Sequence, residues 1–153
     1  MPKVYVLVGV PGSGKSTWIW NQHWIVGMEY VSTDYFVEKF ARRMGKTYSE
    51  VFEQVMPRCV RLMARAVRRA RANGSDIVWD QTSTTLASRK RKFNMLPDYW
   101  HIAVVFPTPE VSVLKERLAD RPGKEVPWEV VQGMIDNFEM PTSEEGYKEI
   151  WRV

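Results

Sequence analysis

Short apolar segments alternate along the chain with longer segments of helical pattern. Segments typical of buried strands occupy residues 4–8, 28–32, 76–80, 101–106 and 147–153. Between them, the sequence predicts helices over 16–24, 85–96 and 127–138, another that ends near residue 119, and one long helix after residue 47. This alternation predicts an α/β fold, with a parallel sheet of about five strands flanked by helices and joined by right-handed crossovers.

The long helix has local signals at both ends. Residues 47–50 (TYSE) form a capping box that starts a helix, and residues 73–74 (NG) are a stop signal. Apolar residues recur between them at helical spacing, at Val60, Met63, Val67 and Ala70. Pro57 lies inside this segment, so we expect it to kink or divide the helix.

The composition fits one domain without a membrane segment. A chain of 153 residues with 44% hydrophobic residues can bury most of the surface that its unfolded form exposes, so we expect residues 1–153 to form a single domain. The sequence contains no apolar run near the roughly 20 residues of a membrane span. Its first residues also lack the organisation of a signal peptide. We therefore expect a cytoplasmic protein with no membrane partner.

The positive charge is concentrated in two places. The net charge is +4, but six arginines fall within residues 58–71 and four consecutive basic residues occupy 89–92. Such clusters suit polyanions, including nucleic acid. A solvated helix face gives the same pattern, so charge alone does not decide between these interpretations.

The clearest motif is GVPGSGKSTW at residues 9–18, directly after the first strand. It matches G-x-x-x-x-G-K-[ST], in which a glycine-rich loop between a strand and a helix surrounds phosphates with backbone N–H groups. We expect the loop to bind the phosphates of ATP, with Lys15 reaching the β and γ oxygens and Ser16 binding Mg²⁺. The predicted nucleotide-binding residues are Gly12, Ser13, Gly14, Lys15, Ser16 and Thr17.

Two aspartates follow other predicted strands. Asp34 comes after residues 28–32, and Asp80 ends the apolar strand 76–80. Because ligands of parallel sheets bind beyond the carboxyl ends of the strands, both are expected beside the loop. We interpret Asp34 as a general base for a substrate hydroxyl and Asp80 as the carboxylate on the metal side.

Two arginines are candidates for a lid over the transferring phosphate. Arg117 and Arg121 are four residues apart, so a continuous helix places them on one face. The following residues, 120–124 (DRPGK), end the helix in a short cationic segment. Arginines that close over phosphates neutralise charge during transfer. The chain has no N-K-x-D motif of a switch GTPase and is short for a motor, so these residues together favour a phosphotransferase.

Five segments in order, GVPGSGKSTW, VSTD, VWDQTSTTLASR, RLADRPGKEVP and FEMPTSEEGYKEI, resemble the kinase domain of polynucleotide 5′-hydroxyl kinases of phages and animals. The resemblance implies a P-loop kinase fold with a short lid. It also implies ATP and Mg²⁺ as cofactors and transfer of the γ-phosphate to the 5′-OH of DNA or RNA. By this resemblance Lys15 and Ser16 serve the donor, Asp34 is the base, Asp80 lies on the acceptor and metal side, and Arg117 and Arg121 belong to the lid. A phage-encoded protein acting in the host cytoplasm is among the resulting expectations.

The acceptor side departs from the family pattern. The phage enzymes carry an arginine three residues after the aspartate, where this chain has Val37. We expect Lys39, Arg42 or Arg43 to supply the missing charge. Two alternatives retain the kinase activity but change the acceptor. One acceptor is the hydroxymethyl group of hydroxymethyluracil in DNA, and the other is a small molecule or nucleoside. A noncatalytic nucleotide-binding adaptor is the alternative from another class.

Overall fold

The computed structural model describes residues 1–153 as a five-stranded sheet covered by helices. The strands are Lys3–Val8 (β1), Glu29–Val31 (β2), Ile77–Trp79 (β3), Trp100–Val105 (β4) and Glu149–Arg152 (β5). The α-helices are Lys15–Trp20 (α1), Thr33–Met44 (α2), Tyr48–Ala72 (α3), Leu86–Met95 (α4), Val111–Ala119 (α5) and Trp128–Asp136 (α6). Short 3₁₀ turns follow α1 at His23–Ile25 and precede β5 at Ser143–Glu145.

All strand pairs in the sheet are parallel, in the order β2-β3-β1-β4-β5. The α/β fold and the five parallel strands confirm the fold predicted from the sequence. Strand β1 lies at the centre, between β3 and β4, and the loop of residues 9–14 leaves its carboxyl end. The ends of β2 and β3 lie on the same edge of the sheet, so they bring Asp34 and Asp80 to this loop.

The core lies on both faces of the sheet. On one face, side chains of β1, β3 and β4 pack against the second half of α3 through Met63, Val67 and Ala70. A separate cluster joins α2 to the first half of α3 and includes the fully buried residues Val37, Val51 and Cys59. None of the helices combines the length and the apolar character that crossing a membrane requires.

Three local predictions differ from the structure. The first helix ends at Trp20 instead of residue 24. Helix α2 was not predicted, although Ser32 caps it, apolar residues recur every three or four positions and Gly45 ends it with φ 63°. Helix α3 also passes through Pro57 without division. Because Glu53 and Pro57 are exposed, water can hydrate the carbonyl that loses its helical partner.

Candidate active site

All ten predicted site residues line one cavity of about 1340 Å³ at the carboxyl edge of the sheet. They are Gly12, Ser13, Gly14, Lys15, Ser16, Thr17, Asp34, Asp80, Arg117 and Arg121. The loop after β1 forms one wall, and the first turns of α2 and α3 form another. The cavity therefore brings together a phosphate-binding loop, two carboxylates and two arginines from four separate segments.

The phosphate loop holds its lysine against its own backbone. Gly14, at φ 103°, occupies the left-handed region that favours glycine and is the N-cap of α1. The Nζ atom of Lys15 donates hydrogen bonds to the carbonyls of Gly9, at 2.9 Å, and Val10, at 3.0 Å. Burial lowers the pKa of Lys15 to about 8, and the nearby Arg121 and Lys124 act in the same direction, while Asp80 and Asp34 oppose them. With this pKa the Lys15 side chain is mostly protonated at pH 7 and loses its proton as the pH rises through about 8, unless an anion binds beside it.

Asp80 follows β3 at the edge of the cavity, where the hydroxyl of Tyr30 from β2 donates a hydrogen bond to its Oδ2 atom. Burial raises the pKa of the Asp80 carboxyl, whereas this hydrogen bond and the charge of Lys15 partly offset the effect. The structure contains no cluster of three or more His, Cys, Asp or Glu residues suited to a metal. Mg²⁺ often takes only one or two protein ligands and completes its shell with water and substrate phosphates. Ser16 and Asp80 line the same cavity and carry oxygen ligands of the type that Mg²⁺ takes.

Asp34 lies in the first turn of α2, three residues beyond the end of β2, and not at the strand end. Both of its carboxylate oxygens are hydrogen-bonded. The hydroxyl of Tyr48 donates to Oδ1 at 2.6 Å, and the Nζ atom of Lys124 donates to Oδ2 at 2.9 Å. The side chain remains about half exposed, at 48%, so a substrate hydroxyl can still reach it. Neither Tyr48 nor Lys124 was predicted as a site residue, although they lie in the capping box and in the predicted lid.

The lid is closed on the loop and on the start of α3. Arg117 donates a 2.9 Å hydrogen bond from Nη1 to the carbonyl of Gly12, and Arg121 lines the cavity. The N–H of Ser49 donates to the carbonyl of Gly123 at 3.0 Å, and the N–H of Glu125 donates to Ser49 Oγ at 2.7 Å. Gly123 has φ +70°, and an added Cβ would lie 2.9 Å from the Cβ of Thr47, so this closure requires glycine.

Polar side chains behind the cavity fix the segments that carry the two aspartates. Gln81 accepts from the indole N–H of Trp79 at 3.1 Å and donates to Thr33 at 3.3 Å, which joins the end of β3 to the start of α2. Further back, the fully buried Arg89 forms a two-point ion pair with Glu145 at 2.8 and 3.2 Å and donates to the carbonyl of Ser83 at 3.0 Å. A buried, satisfied ion pair of this kind holds the loop after Asp80 in one conformation.

The prediction that Lys39, Arg42 or Arg43 supplies positive charge on the acceptor side is wrong. Val37 is fully buried between α2 and α3, and none of Lys39, Arg42 and Arg43 lines the cavity. Lys39 and Arg43 follow Asp34 by five and nine residues, which turns them to another side of α2, and Arg42 lies about 12 Å further along the helix axis. Lys124, from the lid, is the cation that contacts Asp34.

The sheet order and the glycine-rich loop after β1 define a P-loop kinase fold. A family model described as "AAA domain" matches residues 4–141, so the chain belongs to this family. Among solved structures, a candidate kinase from Chloroflexus aurantiacus j-10-fl superposes with a TM-score of 0.72 at 16% identity, covering 99% of this chain and 84% of that one. A chain of the Pnkp1/Rnl/Hen1 RNA repair complex gives a TM-score of 0.65 at 22% identity, covering 89% of this chain and 43% of that one.

The same fold also occurs in a kinase of a small molecule. Shikimate kinase from Acinetobacter baumannii, in complex with shikimate, superposes with a TM-score of 0.55 at 18% identity, covering 100% of this chain and 84% of that one. This chain spans less than half of the RNA repair chain that it matches. The likeness therefore shows a kinase fold, and the acceptor has to be argued from the residues of this chain.

Proposed function

We propose that the protein is an ATP- and Mg²⁺-dependent kinase that phosphorylates a hydroxyl of a nucleic acid, most simply the 5′-OH of DNA or RNA. The observation that carries this proposal is the presence of Asp34 and the phosphate loop in one cavity, with the carboxylate oriented by Tyr48 and Lys124. A noncatalytic nucleotide-binding adaptor would need no oriented carboxylate beside its nucleotide.

In the proposed reaction, Asp34 accepts the proton of the acceptor hydroxyl. The acceptor oxygen forms a bond to the γ-phosphorus of ATP, the bond from that phosphorus to the bridging oxygen breaks, and ADP leaves. Lys15 and the backbone N–H groups of the loop hold the donor phosphates. Arg121 neutralises charge that spreads over the transferred group, and Arg117 fixes the loop through the carbonyl of Gly12. Mg²⁺, held on the side of Ser16 and Asp80, would supply further neutralisation of the phosphates.

An exposed row of arginines on α3 supports a polymeric acceptor. The arginine face, as we define it, consists of Arg58, Arg61, Arg65, Arg68 and Arg69. At about 100° per residue these side chains share one side of the helix, opposite the buried positions Cys59, Met63 and Val67. All five are exposed, and none forms an ion pair with a carboxylate.

Like charges three and four residues apart destabilise a helix. Residues 54–75 contain no acidic residue that would offset this repulsion. A helix face that only aids solubility can carry positive and negative side chains together. A face that binds a phosphodiester backbone benefits from positive side chains alone. A small acceptor would use only one or two of these cations.

The alternative acceptor, a hydroxymethyl group on a DNA base, is supported by aromatic side chains on the acceptor side of the cavity. Tyr48 and Phe52 lie on successive turns of α3 with ring centroids 5.5 Å apart, and Met56 extends this wall by one more turn. Such surfaces suit a planar base that has left its stack. These aromatic surfaces would equally suit the terminal base of a strand. Because they do not favour the base kinase over the 5′-kinase, we rank the base kinase second.

The test is to supply ATP labelled on the γ-phosphate with a panel of acceptors and to find where the label is bound. The panel contains a single strand with a free 5′-OH, a 5′-blocked duplex with hydroxymethyluracil, nucleosides and shikimate. Label on the terminal nucleotide supports the proposal, label on the blocked duplex supports the base kinase, and label only on small molecules contradicts both. Asp34→Asn is the matched variant, which should lower kcat by about 10²- to 10⁴-fold with nearly unchanged ATP binding. Weakened ATP binding with unaltered chemistry would instead place Asp34 on the metal side.

A further inference from the structure

Lys124 is held at the candidate base by contacts on several sides. Its Nζ atom lies 2.9 Å from Oδ2 of Asp34, 4.4 Å from the centre of the Tyr48 ring and 4.0 Å from a carboxylate oxygen of Glu38. Its side chain is only 20% exposed. The hydrogen bonds of Ser49 to Gly123 and Glu125 hold the residues on either side of it. This lysine therefore has a defined place in the cavity, unlike a mobile lysine on the surface.

Any hydroxyl that gives its proton to Asp34 must come close to this ammonium. A hydroxyl within hydrogen-bond distance of either carboxylate oxygen lies within about 3–8 Å of Nζ. A lysine has a flexible stem and three donors, so Nζ can also reach a group attached to the neighbouring atoms of the acceptor. The ammonium of Lys124 is therefore within reach of groups that neighbour the reacting hydroxyl on the acceptor.

We propose that Lys124 binds an anionic phosphate group next to the accepting hydroxyl and selects acceptors that carry one. This inference rests on the proposed function, with Asp34 as the base. In the free protein the ammonium is paired with Asp34. On binding a phosphate-bearing acceptor, it exchanges the carboxylate for the phosphate, so its charge stays paired and an oxygen of Asp34 becomes free to accept the proton. A neutral acceptor provides no such partner and leaves Lys124 on the base.

No other cation near Asp34 is available for this role. Arg117 is engaged with the carbonyl of Gly12 in the phosphate loop. Lys15 is engaged with the loop carbonyls, and Arg121 lines the cavity but forms no ion pair with Asp34. Val37 is buried, and Lys39 lies outside the cavity.

The experiment compares thymidine with thymidine 3′-monophosphate, which carries a phosphate on the same sugar as the 5′-OH. Steady-state constants for both acceptors are measured with wild type, Lys124→Ala, Lys124→Arg and the control Lys39→Ala. For thymidine 3′-monophosphate, Lys124→Ala should lower kcat/KM by about 10- to 100-fold, mainly through KM, as expected for loss of a hydrogen bond from a charged donor. The value for thymidine should fall much less, by about threefold at most, because thymidine loses only the orienting contact of Lys124 with Asp34. Lys124→Arg should retain the preference for the phosphate, and Lys39→Ala should change neither acceptor.

Calorimetry of both compounds with the same proteins gives a readout that does not depend on turnover. If wild type binds thymidine 3′-monophosphate more tightly than thymidine and Lys124→Ala removes the difference, the inference holds even where no nucleic acid is phosphorylated, and only the proposed function fails. Equal losses for both acceptors in Lys124→Ala would overturn the inference, because Lys124 would then only orient Asp34 or the donor. Binding that does not depend on the 3′-phosphate, or that is unchanged in Lys124→Ala, would overturn it as well.

Discussion

The hydroxyl of Tyr48, the first residue of α3, donates a 2.6 Å hydrogen bond to Oδ1 of Asp34 in the first turn of α2. Burial, and then the hydrogen bond to Asp34, raise the pKa of Tyr48 far above its ordinary value. The phenol therefore stays protonated at every working pH and acts as a fixed donor. Because the carboxylate of a half-exposed aspartate can rotate, this bond selects the orientation in which the candidate base faces the cavity.

Tyr48→Phe should reduce kcat by about 10- to 100-fold and leave the KM for ATP unchanged, since it removes a hydrogen bond to the charged carboxylate of Asp34 and keeps the ring under Lys124. Steady-state kinetics with saturating acceptor measure both constants. Phe52→Leu is the control, because it changes an aromatic residue of the same wall that forms no hydrogen bond with Asp34. A larger KM for ATP in Tyr48→Phe would mean that the tyrosine serves the donor side.

Lys15 has a lowered pKa in the nucleotide-free protein, which predicts that nucleotide binding depends on pH. Its pKa is about 8. Bound phosphates favour the charged form, so the ammonium must regain its proton on binding whenever the pH exceeds that value. The Kd for ATP should therefore be nearly constant below pH 7 and about tenfold higher at pH 9 than at pH 7.

Calorimetry across this range, with Mg²⁺ held constant, measures the effect. Lys15→Arg should remove the pH dependence, because guanidinium stays protonated. A Kd that is flat from pH 7 to 9 in wild type would contradict a pKa near 8 for Lys15 in the free loop.

Sequence alone predicted the donor half of the site because it depends on local features. A strand, a glycine loop and a helix occur in one continuous stretch, and a parallel sheet then fixes where Asp80 must lie. The six loop residues and Asp80 line the cavity for this reason. Their catalytic roles are predictions that the experiments above address.

The acceptor half was harder to predict because it depends on contacts between distant segments. Tyr48 is 14 residues from Asp34, and Lys124 is 90 residues away, so no spacing in the sequence links them. Missing α2 also left Val37 as an apparent neighbour of the substrate, whereas the helix buries it. The ion pair of Arg89 with Glu145 was missed for the same reason, since Arg89 lies in a basic run that looks exposed.

The two lid arginines should have different effects when replaced. Arg121→Ala should lower kcat more than it raises the KM for ATP, because a cation without a protein partner matters most when charge develops during transfer. Arg117→Ala should mainly raise the KM for ATP, since Arg117 holds the carbonyl of Gly12 in the phosphate loop. Parallel measurement of kcat and KM for both variants tests this difference. A change confined to the KM for ATP in both variants would show that the lid acts only as a nucleotide clamp.

The arginine face predicts how binding of a nucleic acid depends on salt. Each neutralised phosphate of a single strand contributes about 0.7 to the slope of log K against log salt concentration. The double substitution Arg61→Ala and Arg65→Ala should flatten that slope by about 1.4 for a long single strand, as measured by anisotropy between 50 and 200 mM salt.

The position of the arginine face predicts which kinetic constant changes. It lies on the side of α3 opposite Phe52 and Met56, which line the cavity, so it can hold only a part of the polymer away from the reacting end. The double variant should therefore keep wild-type kcat at saturating acceptor and wild-type kinetics with a mononucleotide. Arg42→Ala with Arg43→Ala removes the same charge from the exposed end of α2 and is the matched control. If both pairs flatten the slope equally, only net charge matters; if neither does, the acceptor does not contact this helix and a small-molecule kinase is favoured.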